Sequence, residues 1–178
     1  EWEATDILLM NPPFISWEAM EDGEKDALTG ILGTTNARKR PDLSTAFVWK
    51  AKESLRPGGI MGSVVPAAVF QTQSARGMRE GLLADGVFRL IGRFNSYSFF
   101  RHSMVEPGFF VYERPDRSPR AETATTKLLL AEDTFEDDSL RALRKAARDG
   151  EERRERKQWQ IVSVSVDELD AANLVPRW

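Results

Sequence analysis

The run Asp6-Ile7-Leu8-Leu9-Met10-Asn11-Pro12-Pro13-Phe14 holds the residues whose types and order could do chemistry. Four apolar residues after an acid predict a buried strand of a parallel sheet, and the prolines stop it abruptly. Pro12 and Pro13 remove two backbone donors, hold φ near one value and push Asn11 out of the helical region. What remains is a rigid pair of acceptors, the Asn11 side-chain oxygen and the Pro12 carbonyl, beside the ring of Phe14. A planar amino group conjugated to a heteroaromatic ring or an amide is a poor nucleophile, because its lone pair is delocalised. Two acceptors that each take one of its N–H bonds favour a pyramidal nitrogen whose lone pair is aimed at an electrophile. Phe14 could stack on the attached ring. An ordinary loop turn is the competing reading of Asn-Pro-Pro, and the strand in front of it favours the chemical one.

The motif is useful only if other elements place it. In open α/β sheets the crevice beyond the carboxyl ends of the strands holds the ligand. After Phe14, residues 15–32 predict a short acid-rich helix running into a flexible loop over the strand ends, a candidate lid. Arg38-Lys39-Arg40 in that loop could touch nucleic-acid phosphates or be merely solvated. Asp42 or Ser44 caps a helix whose apolar face is Leu43, Phe47, Val48, Ala51 and Leu55, and Pro57-Gly58-Gly59 ends it. Ile60 to Val65 is a second buried strand stopped by Pro66, so strand, helix and strand predict a right-handed crossover and a parallel pair. Val69 to Leu83 predicts a helix with Arg76, Arg79 and Glu80 on its polar side and Met78, Leu82 and Leu83 on its apolar side. Val87–Phe94 and Gly108–Glu113 are further strands, joined by a connector too short for a crossover helix and therefore antiparallel.

Composition narrows the function classes. With 178 residues, 41% hydrophobic and 30% charged, the chain reads as one globular domain with a small appendage. It has no cysteine and one histidine, His102. That excludes disulfides, thiolate zinc sites and iron–sulfur clusters, confines any Ser–His machinery to His102, and gives no expectation of a metal. No apolar run approaches a membrane span and no signal peptide is present, so a cytoplasmic protein without membrane contact is expected. The net charge of −3 does not suit a general polyanion binder. Nucleic-acid contact would come from local basic patches or from other parts of the protein. A strand that begins almost at once after Glu1 reads as a fragment of a larger domain.

These residues together resemble the amino-group methyltransferases, and specifically the bacterial adenine-N6 DNA methyltransferases of restriction-modification and phage-defence systems. In that family an Asn-Pro-Pro-aromatic strand is followed by a loop, a helix opening Asp-Leu, a Pro-Gly-Gly turn and a strand ending in proline. A helix with Arg-Glu near its middle and a hairpin with an aromatic in its loop complete the set. Asp42-Leu43, Phe47, Pro57-Gly58-Gly59, Pro66, Arg79-Glu80 and Phe100 stand at those places. The resemblance implies an α/β fold. Its sheet is Rossmann-like, the C-terminal half of an S-adenosylmethionine-dependent methyltransferase sheet, mostly parallel with an antiparallel terminal hairpin, plus a small α+β tail. It implies S-adenosyl-L-methionine as cofactor and double-stranded DNA with a flipped adenine as substrate. It also implies partnership with the missing N-terminal half of the catalytic domain and with a restriction or specificity subunit. Asn11 and Pro12 would hold the target amino group, Pro13 would keep them rigid, and Phe14 would stack. Phe99 or Phe100 would pack on the base from the hairpin side, and Arg38, Lys39 and Arg40 would reach the substrate's phosphates. Asn11 would meet the cofactor only at an edge, since the family's Gly-rich strand–loop is not found in these residues.

The resemblance divides the chain into residues 1–114, the C-terminal half of the catalytic domain, 115–124, a linker, and 125–178, a tail that could begin a target-recognition region. Within the tail, Thr125 to Ala131 and Gln160 to Val166 read as strands, Asp138 to Lys157 as a charged helix and Asp167 to Asn173 as a short helix. Other acceptors fit the same hallmark, either an RNA base or a protein glutamine amide. A non-catalytic DNA-binding or assembly module that keeps the fold is a further alternative.

Overall fold

The computed structural model describes residues 2–94, 105–116, 125–131, 153–156 and 159–175, with Arg141, Arg144, Lys145 and Arg148. Among the described residues seven strands form one sheet: β1 (Thr5–Met10), β2 (Leu55–Pro66), β3 (Val87–Phe94), β4 (Pro107–Glu113), β5 (Thr125–Ala131), β6 (Arg153–Arg156) and β7 (Trp159–Ser165), in the order β1-β2-β4-β3-β5-β7-β6. β1 pairs with β2 and β3 with β5 in parallel, whereas β4 runs against both β2 and β3, and β7 against both β5 and β6. Five of these strands thus share one direction and two, β4 and β7, oppose it. The parallel first pair and the antiparallel hairpin are those expected from the sequence. The hairpin's second strand inserts between β2 and β3.

The sheet is accompanied by α1 (Asp22–Leu32), α2 (Thr34–Ala37), α3 (Leu43–Ser54) and α4 (Arg76–Asp85), and Arg141, Arg144, Lys145 and Arg148 are also helical. Val48, Ala51, Met78 and Leu82 from α3 and α4 pack with Met61, Val65, Phe88, Ile91, Phe110 and Tyr112 from the sheet, and Leu174 and Val175 close the same core. Leu28, Leu32, Ala37 and Ala46 form a second cluster that seats α1 and α2 on α3. The short acid-rich helix expected after Phe14 is α1, and the loop expected behind it holds a packed helical turn, α2. Gly58, at a φ of +81°, lies within β2 where its register with β1 shifts between Leu55 and Ile60, a left-handed conformation that glycine adopts without steric cost.

Several expectations need correction. β1 is not buried on both faces: Leu8 and Met10 touch the core, but Ile7 is 69% and Leu9 80% exposed, with Ile60 of β2 beside them. The alternation follows from the two-residue period of a strand with one covered face, at the edge of the sheet. The helix expected from Val69 is split into a 3-10 turn, Ala67–Phe70, and α4 from Arg76, because Gln71 to Ser74 is polar and turn-forming. Within it Arg79 is not on a polar face but fully buried. In the tail, Arg141, Arg144, Lys145 and Arg148 are helical as expected of the charged helix, but Arg153–Arg156 is strand, paired with β7 at the edge of the sheet. Residues 166–173 hold a 3-10 turn and a β-bridge instead of a helix. Strands β5, β7 and β6 extend the same sheet as β1 to β4, joined through the β3–β5 ladder. Most of the expected linker, 117–124, lies outside the described residues.

Candidate functional site

Asn11-Pro12-Pro13-Phe14 follows directly on the last residue of β1, at its carboxyl end. Pro12 is buried, Asn11 and Pro13 are exposed, and Phe14 is half-buried. The chain is held as it leaves the motif: the Leu43 amide at the start of α3 donates to the Ile15 carbonyl at 2.9 Å. Asp42 caps α3, accepting the Ser44 amide at 2.8 Å, so of the two cap candidates it is Asp42 that serves.

Beyond the strand ends lies a cleft of about 540 Å3. Phe14 and Trp17 form one side, Asp42 and Thr45 come from the start of α3, and Pro66, Val69 and Ala75 come from the β2–α4 connection. Val105, just before β4, and Arg40 complete it. A cleft of this size suits a planar heteroaromatic ring with its sugar. Its lining is mainly apolar with a few polar groups. Burial pushes the Asp42 carboxyl above the ordinary carboxylate range, against the lowering effect of its bonds to Ser44. The Thr45 hydroxyl is buried and has no hydrogen-bond partner among the described residues.

Of the residues expected at the site, the cleft brings together Phe14 and Arg40; Asn11, Pro12 and Pro13 precede Phe14 at the strand end. Arg40 has a φ of 54°, unusual for a residue with a Cβ, and its guanidinium lies 3.8 Å from the Glu18 carboxylate. Arg38 and Lys39 are exposed and do not line the cleft. Phe99, Phe100 and His102 lie outside the described residues. The loop that carries them leaves β3 and enters β4 beside the Arg93–Glu106 ion pair, at 2.6 Å. Asp42, Thr45 and the 66–75 wall were not singled out as site residues from the sequence. Pro66 was the available signal, since it ends a strand on the side where Asn11 ends another.

The residues present fit S-adenosyl-L-methionine on one side only. Asn11 is exposed at the end of an edge strand, where a cofactor could approach, but the described residues include no Gly-rich strand–loop to grip it. Among the described residues no group of three or more His, Asp or Glu side chains could hold a metal ion, and no helix is long and apolar enough to cross a membrane.

Residues 4–100, more than half of the chain, match the Eco57I restriction-modification methylase family. The type II methyltransferases M.HincII and M.HindII of Haemophilus influenzae are each 27% identical over 96 residues, 53% of this chain. The chain spans only about a fifth of these relatives, 19% and 18% of their lengths. Among solved structures, the type IIG restriction endonuclease BpuSI superimposes with a TM-score of 0.63 at 16% identity, over 92% of this chain and 19% of that one. A type I restriction-modification methyltransferase subunit from Streptococcus thermophilus does so at 0.60 and 18% identity, over 97% of this chain and 37% of that one. A Listeria monocytogenes protein assigned to the class I S-adenosylmethionine-dependent methyltransferases gives 0.58 at 15% identity, over 83% and 43%. At such identities the superpositions speak for the fold, a Rossmann-like methyltransferase sheet. The family match covers the motif at the end of β1 and the ladder between β1 and β2. On that ground the chain belongs to the Eco57I restriction-modification methylase family.

Proposed function

We propose that this chain supplies the base-holding side of a DNA methyltransferase, and that the full-length protein transfers a methyl group from S-adenosyl-L-methionine to the N6 amino group of an adenine flipped out of duplex DNA. The observation that carries this reading is Asn11-Pro12-Pro13-Phe14 at the carboxyl end of β1, with Phe14 in the wall of the cleft. The cofactor supplies an electrophilic methyl group. Asn11 and the Pro12 carbonyl accept the two amine hydrogens, which draws the nitrogen towards a pyramidal shape and fixes its lone pair. Phe14 stacks on the extruded ring. The amine can lose its proton after the methyl has moved, so no general base with a matched pKa is required. Arg40, and Arg38 and Lys39 beyond the cleft, would meet phosphates of the DNA.

The family is one of restriction-modification methylases, which supports DNA as the acceptor and a role in restriction-modification in the cytoplasm, alongside a restriction or specificity subunit. The N-terminal half of the catalytic domain would complete the cofactor's site. The deciding experiment incubates the full-length protein with methyl-labelled cofactor and duplex DNA, RNA or protein in parallel. Label recovered as N6-methyladenine in DNA is expected. Label on RNA or on a glutamine amide would overturn the acceptor, and DNA binding without any label would leave a non-catalytic module.

A further inference from the structure

Much of the cleft is made by a stretch with little regular structure. Pro66, Ala68, Val69, Thr72, Ser74 and Ala75 all line it from the connection between β2 and α4, whose one regular piece is the Ala67–Phe70 turn. Such a wall keeps its place only if its backbone is held from behind. The Ala67 amide donates to the Glu106 carbonyl at 2.8 Å, which ties the wall to the start of β4. The other two ties lead to the far end of the chain.

Arg79 of α4 is 0% exposed. Its Nη1 donates to the Val69 carbonyl at 2.5 Å, its Nε to the Ala171 carbonyl at 2.6 Å and its Nη2 to the Ala172 carbonyl at 3.4 Å. The Leu174 amide donates to the Phe70 carbonyl at 3.0 Å. Residues 170–175 are themselves shaped for this task. The Asp170 carboxylate accepts the Ala172 amide at 2.8 Å, the Asn173 side chain accepts the Val175 amide at 2.9 Å, and Asp170 and Asn173 form a β-bridge. Leu174 and Val175 are buried in the main core. Burial, and then Arg76, lower the Arg79 pKa to about 10, which leaves the group charged at neutral pH. A buried guanidinium bonded to carbonyls is costly to keep, and its planar fork is the one side chain that reaches acceptors in two segments at once.

We propose that Arg79 is a positioning residue for the target-base cleft, fastening Asp170–Val175 to the back of the Val69 wall so that the C-terminal part of the chain sets the width of the cleft. The inference rests on the reading of that cleft as the base site. It makes β5, β7 and residues 170–175 a buttress of the catalytic sheet and not a separate unit. It also separates two affinities: the wall lies away from the exposed β1 edge where the cofactor would approach, so loosening it affects base capture and spares the cofactor.

The test uses Arg79→Lys, which keeps the charge and loses the fork, and Asp170→Ala, which leaves Arg79 in place and frees the turn that presents its acceptors. In the full-length protein, hydrogen exchange at residues 67–72 reads the wall without any DNA, and a fluorescent adenine analogue at the target position reads base capture. Faster exchange at the wall, base capture weakened about tenfold or more by Arg79→Lys, a smaller effect in the same direction for Asp170→Ala, and cofactor affinity within about twofold of wild type are expected. Unchanged exchange at 67–72, or cofactor affinity falling as far as base capture, would overturn the proposal. A wild-type protein that never brightens the analogue would overturn the reading of the cleft, and with it this assignment; wild-type brightening with unaltered variants would overturn the Arg79 role alone.

Discussion

Asn11 stands where β1 runs out of sheet, so its side chain is committed to no ladder and is exposed at the strand's end. If it accepts an amine hydrogen, its bond strengthens as the nitrogen becomes pyramidal. Asn11→Ala should then lower turnover by about a hundredfold, on the order of 3 kcal/mol, while DNA affinity changes little. Single-turnover rates and equilibrium binding measured on the same DNA check this, and equal losses in both would count against it. Phe14→Ala acts on the ground state instead and should weaken capture of the flipped base by about 1–3 kcal/mol, visible as lost brightening of an adenine analogue. Asp42 allows a prediction with a definite sign. Burial raises its pKa in the folded chain above the unfolded value, so its contribution to stability is present below the ordinary carboxylate range and is lost as pH rises through the raised value. A neutral carboxamide in its place would still accept the Ser44 amide and never ionise. Asp42→Asn should therefore melt higher than wild type near pH 7.5, with the gap closing towards pH 4, and a lower melting temperature at neutral pH would refute the burial argument. Asn11 and Phe14 could be singled out from sequence because the roles proposed for them rest on adjacency in the chain. Asp42 and Arg79 were not, since their burial is created by partners far away, 92 residues away for Arg79.

At the scale of elements, the β3–β4 hairpin decides where its loop hangs. Gly92 of β3 pairs with Phe109 of β4, and the Phe109 ring lies directly over it, 5.4 Å from the ring of Phe94. A Cβ at position 92 would fall on the ring. Phe109 would have to swing away and disturb Phe94, the last described residue before the loop that contains Phe99 and Phe100. Gly92→Ala should cost about 1–3 kcal/mol by overpacking, which in a domain of this size lowers the melting temperature by about 2–4 °C per kcal/mol. Calorimetry decides it, and an unaltered melting temperature would mean that the ring moves freely. The hairpin was legible because a short polar connector between two apolar runs leaves no other geometry. Helix limits were less so. The stretch from Val69 has a helical pattern of apolar residues, but Gln71 to Ser74 breaks the backbone before Arg76 can start α4.

For the whole molecule, strand directions could be inferred from connection lengths, whereas the place of residues 125–165 could not. β5 joins β3 across a ladder between segments more than thirty residues apart, and no local pattern encodes such a pairing. The open edge is the other global feature. Doubly wound sheets cover both faces, yet Ile7, Leu9 and Ile60 present an apolar face at β1, with Trp2 near Phe47 at 6.2 Å between ring centroids. On the proposed function, contacts to the cofactor's ribose, adenine and amino-acid end would come from strands beyond that edge together with a Gly-rich turn, and no such turn occurs in the 178 residues. A polypeptide of residues 1–178 should accordingly bind S-adenosyl-L-methionine barely or not at all, whatever the full-length protein does. It should also self-associate, because a strand with one open edge among the described residues and with exposed Ile7 and Leu9 is a template for edge-to-edge pairing. Leu9→Lys places a charge on that face and should shift the polypeptide towards monomer in sedimentation velocity, without altering the core residues Leu8 and Met10 beside it. Calorimetric titration with the cofactor is the companion measurement. Micromolar affinity in the isolated polypeptide would mean that Asn11 and its neighbours hold far more of the cofactor than one edge allows.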